Sequence, residues 1–275
     1  MTSLTKRIIS AAVFLPLFIF ILLKGTPFSF FILVLAAVII AVREFLSFRG
    51  ENPLQVESSI FLYLWSSFAV YSAYAGEYIH VMGIASGGVI IVLLIRLLKG
   101  EKLDGVINDA GFCSFAFIYI AFLLSHLVLL RGLEYGSLWI LLLCTTTWSG
   151  DTSAYFSGMK FGKRKLYKEV SPNKSIEGLI GGFFGGILAA LIFKVLFFPS
   201  LGFGEALFVA AVIGIIGPLG DLSESMLKRS SGVKDSGGII PGHGGVLDRV
   251  DSVMFSAPFL YYFAYMRMGD LSIWG

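Results

Sequence analysis

Residues 28–48 read FSFFILVLAAVIIAVREFLSF, fifteen positions without a charge before Arg43 and Glu44 arrive together. Wound as an α-helix at about 1.5 Å per residue, such a stretch matches the roughly 30 Å hydrocarbon layer of a bilayer. It is apolar on every side, with neither the single stripe of a soluble helix nor the alternation of a strand. The pattern recurs along the chain in about nine blocks: 8–23, 28–48, 59–76, 78–98, 109–130, 137–158, 177–198, 205–220 and 252–268. Hydrophobic residues make up 56% of the 275 positions and charged residues only 14%, too few charges to clothe a soluble domain of this length.

Hydrocarbon offers no partner to backbone N–H and C=O groups, so spanning segments must satisfy their own. The blocks do not alternate as barrel strands would. The sequence therefore predicts an all-α integral membrane protein, a bundle of about nine transmembrane helices. They form one polytopic domain, with spans one to five in residues 1–135 and spans six to nine in 136–275.

Lysine and arginine set the orientation. With a cytoplasmic N-terminus and nine spans, 17 of the 21 basic residues fall in cytoplasmic segments, and only Lys24, Arg131, Lys194 and Arg267 on the other side. The C-terminus is then expected outside. The net charge of +3 reads as a topological signature, and no nucleic-acid partner is expected. The first block follows Lys6-Arg7 as a signal peptide would, but no small-x-small cleavage site follows it, so it reads as a retained anchor. Cys113 and Cys144 lie in predicted spans without paired spacing, which argues against a disulfide scaffold or a zinc site.

The unusual chemistry is confined to two expected cytoplasmic segments, 149–177 and 217–252. In the second, Asp221, Ser225 and Lys228 share a helix face, and Asp248, Asp251 and Ser252 share another at the entrance to the last span. Three aspartates on two helices form a candidate hard-cation site of the kind that takes Mg²⁺. Lys228, Arg229, Lys234 and Arg249 are candidate phosphate partners. Gly237-Gly238 and Gly242-His243-Gly244-Gly245 permit a loop whose N–H groups approach an anion closely, although no Walker A pattern occurs. Glu224 and Asp235 read equally well as salt-bridge partners. Together, acids, bases and glycines point to metal-assisted phosphoryl or nucleotidyl transfer.

In the first segment, Asp151 falls inside the sixth block, where an acid is costly unless it faces a cavity or a partner. Ser171, Asn173, Lys174 and Ser175 precede the seventh block, where a helix N-terminus favours an anion; Ser175 with Glu177 also reads as a simple cap. The run Lys163-Arg164-Lys165 with Lys168 reads as a membrane-surface patch. Glycines four apart at 178/182, 181/185 and 182/186 read as close helix packing. Glu44 reads as a site residue or an ion-pair partner, His80 and His126 as structural, and Trp65, Trp139 and Trp148 as packing or interface residues.

Residues 225–251 resemble the signature of the phosphatidate cytidylyltransferases, or CDP-diacylglycerol synthases. Ser225, Lys228-Arg229, Lys234-Asp235, His243-Gly244-Gly245, Asp248-Arg249 and Asp251 all match it. Gly150-Asp151 and Ser171-Pro172-Asn173-Lys174-Ser175 resemble family segments more weakly. The resemblance implies that CTP and phosphatidic acid react, with Mg²⁺, to give CDP-diacylglycerol and pyrophosphate. It further implies an inner-membrane location, an active site facing the cytoplasm and a homodimer; a second cation is left open. Under it Asp221, Asp248 and Asp251 hold metal, and these with Lys228 and His243 form the catalytic set. Asp151, Ser171, Asn173, Lys174, Ser225, Arg229, Lys234 and Arg249 bind substrate. Three rivals stand beside this reading. A transporter of an anionic solute predicts flux without chemistry, a CTP-dependent lipid kinase releases CDP, and a CDP-alcohol phosphotransferase carries a D-G-x-x-A-R pattern that this sequence lacks.

Overall fold

The computed structural model describes residues 3–76, 78–99, 105–239 and 244–273. Among them the chain is almost entirely helical: α1 (Ser3–Lys24), α2 (Pro27–Ser47), α3 (Val56–Tyr74), α4 (Tyr78–Lys99), α5 (Val106–Ala116), α6 (Leu123–Gly132), α7 (Gly136–Phe161), α8 (Ile176–Phe197), α9 (Phe203–Ser230) and α10 (Leu247–Ile273). A π segment, Phe117–Phe122, joins α5 and α6 into one continuous rod, so nine long helices are described. Five of them, counting that rod once, are long and apolar enough by composition alone to cross a bilayer. The protein is an all-α membrane protein. One element departs from the helical expectation: β1 (Lys165–Tyr167) and β2 (Ser171–Ser175) form an antiparallel hairpin between α7 and α8, where the sequence reads as a basic surface patch followed by donors before a helix.

The chain divides into two compact units. The first comprises residues 1–132 with 235–249. Thr26 caps α2 by accepting the Ser29 N–H at 3.2 Å, and Pro27 occupies the first turn, where a missing N–H is harmless. At the centre, Trp65 of α3 stacks on Phe117 with ring centres 4.0 Å apart, and its indole N–H donates to the Ile84 carbonyl at 2.8 Å. Gly88 leaves room for that indole, since a Cβ there would lie 1.8 Å from the ring. Arg49 pairs with Asp109 at 2.7 Å, and Arg96 approaches the same carboxylate at 3.6 Å, tying α2, α4 and α5 together at one end. His126 is buried with Nδ1 against the Phe122 carbonyl at 2.8 Å, a helix-internal role.

The second unit comprises residues 133–234 with 250–275. Its spine is the antiparallel pair α7–α8. A Cβ at Gly181 would sit 2.1 Å from Ser157 Oγ, at Gly185 2.1 Å from Ser153 Oγ, and at Gly182 2.9 Å from the Gly150 carbonyl. The helices touch backbone to backbone, as small residues four apart allow. The opposite face of α8 carries Ile180, Phe184, Leu188 and Ile192, all exposed. A helix that buries glycine and exposes large apolar side chains is suited to lipid and would not hold in water. At the far end of this unit Glu205 accepts the Gly202 N–H at 2.6 Å and pairs with Arg267 at 2.8 Å. Cys113 and Cys144 are both free and buried.

Gly182→Val should therefore wedge α7 from α8. Overpacking of this kind costs about 1–3 kcal/mol, read as a lower midpoint of thermal unfolding in detergent. Gly204→Ala, where nothing lies within 4 Å of the new Cβ, should leave the midpoint unchanged.

Candidate active site

Within the second unit, four elements, α7, β2, α9 and α10, deliver the polar groups. Asp221, Ser225 and Lys228 project from α9 at intervals of four and three residues, so they follow one face. Lys174 comes from β2, and the hairpin that carries it is fixed at both ends. Ser175 accepts the Gly178 N–H at 3.1 Å, and Glu177 accepts the backbone N–H groups of Lys163 at 3.0 Å and Arg164 at 3.2 Å. The cap expected at Ser175 is present. Its role is to anchor the hairpin, and the hairpin brings the Lys174 ammonium onto Asp221 as an ion pair. Ser225 Oγ approaches the other oxygen of Asp221 at 3.4 Å.

Asp251, on α10, is 9% exposed and lies in the electrostatic field of Asp221, Asp151 and Lys174. Its Oδ1 accepts the Ser252 N–H at 2.6 Å. Gly220 permits this neighbourhood: a Cβ there would fall 2.6 Å from the Asp251 carbonyl and 2.9 Å from Phe255. Asp151 lines a small cavity of about 40 Å³ with Thr147, Gly182, Gly217, Pro218 and Ser252. That volume holds a few water molecules but no nucleotide. Pro218, inside α9, supplies no N–H to the preceding turn, so one intrahelical hydrogen bond is missing beside the cavity. The costly acid of the sixth block thus does face a cavity, one whose walls are mostly apolar.

Other expected residues are placed differently. Lys228 forms a buried ion pair with Glu224, which is fully buried, so Glu224 belongs with the salt-bridge reading. Arg229 donates to the carbonyls of Val233 at 3.1 Å and Val170 at 3.4 Å, which ties the end of α9 to the hairpin. Ser171 is half-buried, and Asn173 and Lys234 are exposed. His243, and Lys102 of the charge count, lie outside the described residues.

The first unit contains Asp248 and Arg249. Asp248 Oδ2 accepts the Gly245 N–H at 2.8 Å, the Ser236 N–H at 3.1 Å and the Ser236 hydroxyl at 2.9 Å, while Arg249 is exposed. Glu44, only 4% exposed, accepts the N–H groups of Val246 and Leu247, both at 2.9 Å. Nothing in the sequence marks these backbone partners of Glu44, which reads there as a site residue or an ion-pair partner. Among the described residues no three His, Cys, Asp or Glu side chains form a ready-made metal cage. Mg²⁺ does not require one, because it keeps waters and commonly takes one or two carboxylates plus substrate phosphates.

Comparison with known proteins adds an independent line. A model of the cytidylyltransferase family matches residues 5–267. The chain is 36% identical to a phosphatidate cytidylyltransferase of Bacillus subtilis over 267 residues, which cover 95% of this chain and 98% of that one. It is 37% identical to a phosphatidate cytidylyltransferase of Staphylococcus haemolyticus over 257 residues, 92% of this chain and 94% of the relative. A Haemophilus influenzae protein of the same name is 34% identical over 284 positions, covering 94% and 98% of the two chains.

The contact at Gly220 gives a local test. Gly220→Ala should push α10 from α9 and lower the thermal midpoint, whereas Gly217→Ala, with nothing nearer than 3.7 Å to the new Cβ, should be tolerated.

Proposed function

The chain belongs to the cytidylyltransferase family, and from that premise we propose that it is a phosphatidate cytidylyltransferase of the inner membrane. It transfers CMP from CTP to phosphatidic acid and yields CDP-diacylglycerol and pyrophosphate. The observation that carries the reading is the match, nearly end to end, with relatives named for that reaction. The convergence of Asp221, Asp251 and Lys174 supports it independently, because paired carboxylates beside a cation suit phosphate chemistry.

The membrane explains why such a site stands at a boundary. Phosphatidic acid leaves a bilayer only at great cost, and CTP cannot enter one. In our reading the N-terminus is cytoplasmic, the C-terminus lies outside, and the polar segments face the cytoplasm. The phosphate of phosphatidic acid attacks the α-phosphorus of CTP, and a new P–O–P bond forms. The bond from the α-phosphorus to the bridging oxygen of the β-phosphate breaks, and its electron pair leaves with pyrophosphate. The nucleophile is already ionised near neutral pH, so no side chain need remove its proton.

The protein's work is positioning and charge neutralisation. Asp221 and Asp251 are proposed Mg²⁺ ligands, since their hard oxygen donors and close neighbourhood fit such an ion; Asp248 joins them on the strength of the motif alone. A bound Mg²⁺ would neutralise charge on the triphosphate. Lys174, held on Asp221 by the hairpin, is placed to hand its charge to a phosphate when the aspartate takes the metal. Lys228, Arg229, Lys234 and Arg249 are proposed to face the phosphates, with Ser171, Asn173 and Ser225 as neutral donors. Asp151, which lines the cavity, is proposed to bind substrate on the weaker motif match. His243 is retained from the motif. A homodimer is proposed on the family resemblance alone.

Purified protein given labelled CTP, phosphatidic acid and Mg²⁺ should release pyrophosphate and form CDP-lipid. Asp221→Asn and Asp251→Asn should each lower the rate by at least about a hundredfold, and a chelator should abolish it. Release of CDP in place of pyrophosphate would identify a lipid kinase, and flux without any product would identify a transporter.

A further inference from the structure

The carboxylate of Glu44 lies in the first unit, beside the start of α10, and no motif assigns it a part. We propose that Glu44 is a positioning residue of the transferase, one that clamps the start of α10 and thereby holds Asp248 and the glycine turn before it. The proposal rests on the reading that this segment belongs to the reacting site.

The geometry is that of a two-pronged anchor. Glu44 Oε1 accepts the Val246 N–H and Oε2 accepts the Leu247 N–H, each at 2.9 Å. Leu247 is the first residue of α10, so these donors belong to the end of a helix that has no intrahelical acceptor for them. An anion there also meets the positive end of the helix dipole. Ser236 Oγ lies 2.9 Å from Asp248 Oδ2 and 3.3 Å from Glu44 Oε2. A hydroxyl has one proton to donate, and the shorter contact assigns it to Asp248. The clamp therefore consists of Glu44 and two backbone N–H groups, while Ser236, packed beside Glu44, gives its proton to Asp248.

The glycines corroborate the clamp. A Cβ at Gly237 would fall 2.6 Å from Glu44 Oε1. One at Gly245 would fall 2.6 Å from Oε2 and 2.1 Å from Ser236 Oγ. Both positions are bare because a carboxylate occupies the space beside them. Asp248 is the second residue of α10, and its Oδ2 takes N–H groups from the same turn. A change in the turn should therefore be felt at once by Asp248.

Glu44→Gln preserves shape but presents one oxygen and one NH₂, so one prong must set a donor against an N–H. In full-length protein in detergent with CTP and phosphatidic acid, kcat per folded molecule should fall between about tenfold and a hundredfold. KM for CTP should stay within about threefold, because Glu44 is buried with both oxygens on backbone N–H groups. Hydrogen exchange provides the readout that needs no activity: the Val246 and Leu247 amides should exchange at least about fivefold faster, while those of α8 do not change. Ser236→Ala, a milder change that keeps both prongs, should lower kcat less and spare those two amides. Unchanged exchange in Glu44→Gln would overturn the clamp. Faster exchange with wild-type kcat would overturn its part in turnover. If wild-type protein forms no CDP-lipid, the functional reading fails, and the exchange measurement alone decides the clamp.

Discussion

Backbone contact between α7 and α8 is the constraint on which the second unit depends. Glycines at 178, 181, 182, 185 and 186 let the two helices meet with almost no side chain between them. In lipid no water is expelled when helices associate, so close van der Waals contact must hold them. The same contact fixes where each helix ends. The hairpin that closes the α7–α8 turn is thereby set against the end of α9, to which Arg229 ties it through the Val170 carbonyl. Lys174 reaches Asp221 because the glycine stripe has already set the spacing. A packing motif and an ion pair are thus successive links of one chain of cause.

Carboxylates in both units are stabilised in a common way. Glu44, Glu177, Asp248 and Asp251 each accept backbone N–H groups from a turn or helix end. Such donors bring no net charge and little side-chain entropy to lose, so they steady an anion at a low-dielectric boundary without adding a cation that would compete for it. Asp221 is held otherwise. Its partners are Lys174, a mobile cation on a four-carbon stem, and the Ser225 hydroxyl. Asp221 is therefore held by side chains, where those four acids are held by backbone.

The helical architecture could be read from hydropathy because lipid imposes a single solution on long apolar blocks, and all nine blocks correspond to long helices. The glycine spacing on α8 was legible for the same reason, since small residues four apart have few other uses. The hairpin at 165–175 was not. Its strands are too short to show a period, and its lysines look like any cytoplasmic loop. Asp221 and Asp251 were found as unusual acids at the ends of apolar blocks, and the motif grouped them. Glu44 stands out in the sequence as a site residue or an ion-pair partner, but its actual partners do not. Its contacts join positions about two hundred residues apart, and its partners are backbone N–H groups, which every residue but proline possesses and no sequence pattern marks.

The glycines of the loop show why pattern and geometry can agree on residues and differ on cause. From sequence, Gly237 and Gly245 suggest a bare backbone ready for a phosphate. In the folded chain the anion beside them is the protein's own Glu44. Gly244 differs from both: its φ of +81° is a conformation that side chains resist, and it packs against Asp248 Oδ2. The segment is therefore glycine-rich for two separate reasons, space at 237 and 245 and backbone conformation at 244. Both lead to Asp248, whose Oδ2 accepts the Gly245 N–H. Rigidity there comes from a buried carboxylate on α2, a helix that the signature does not include.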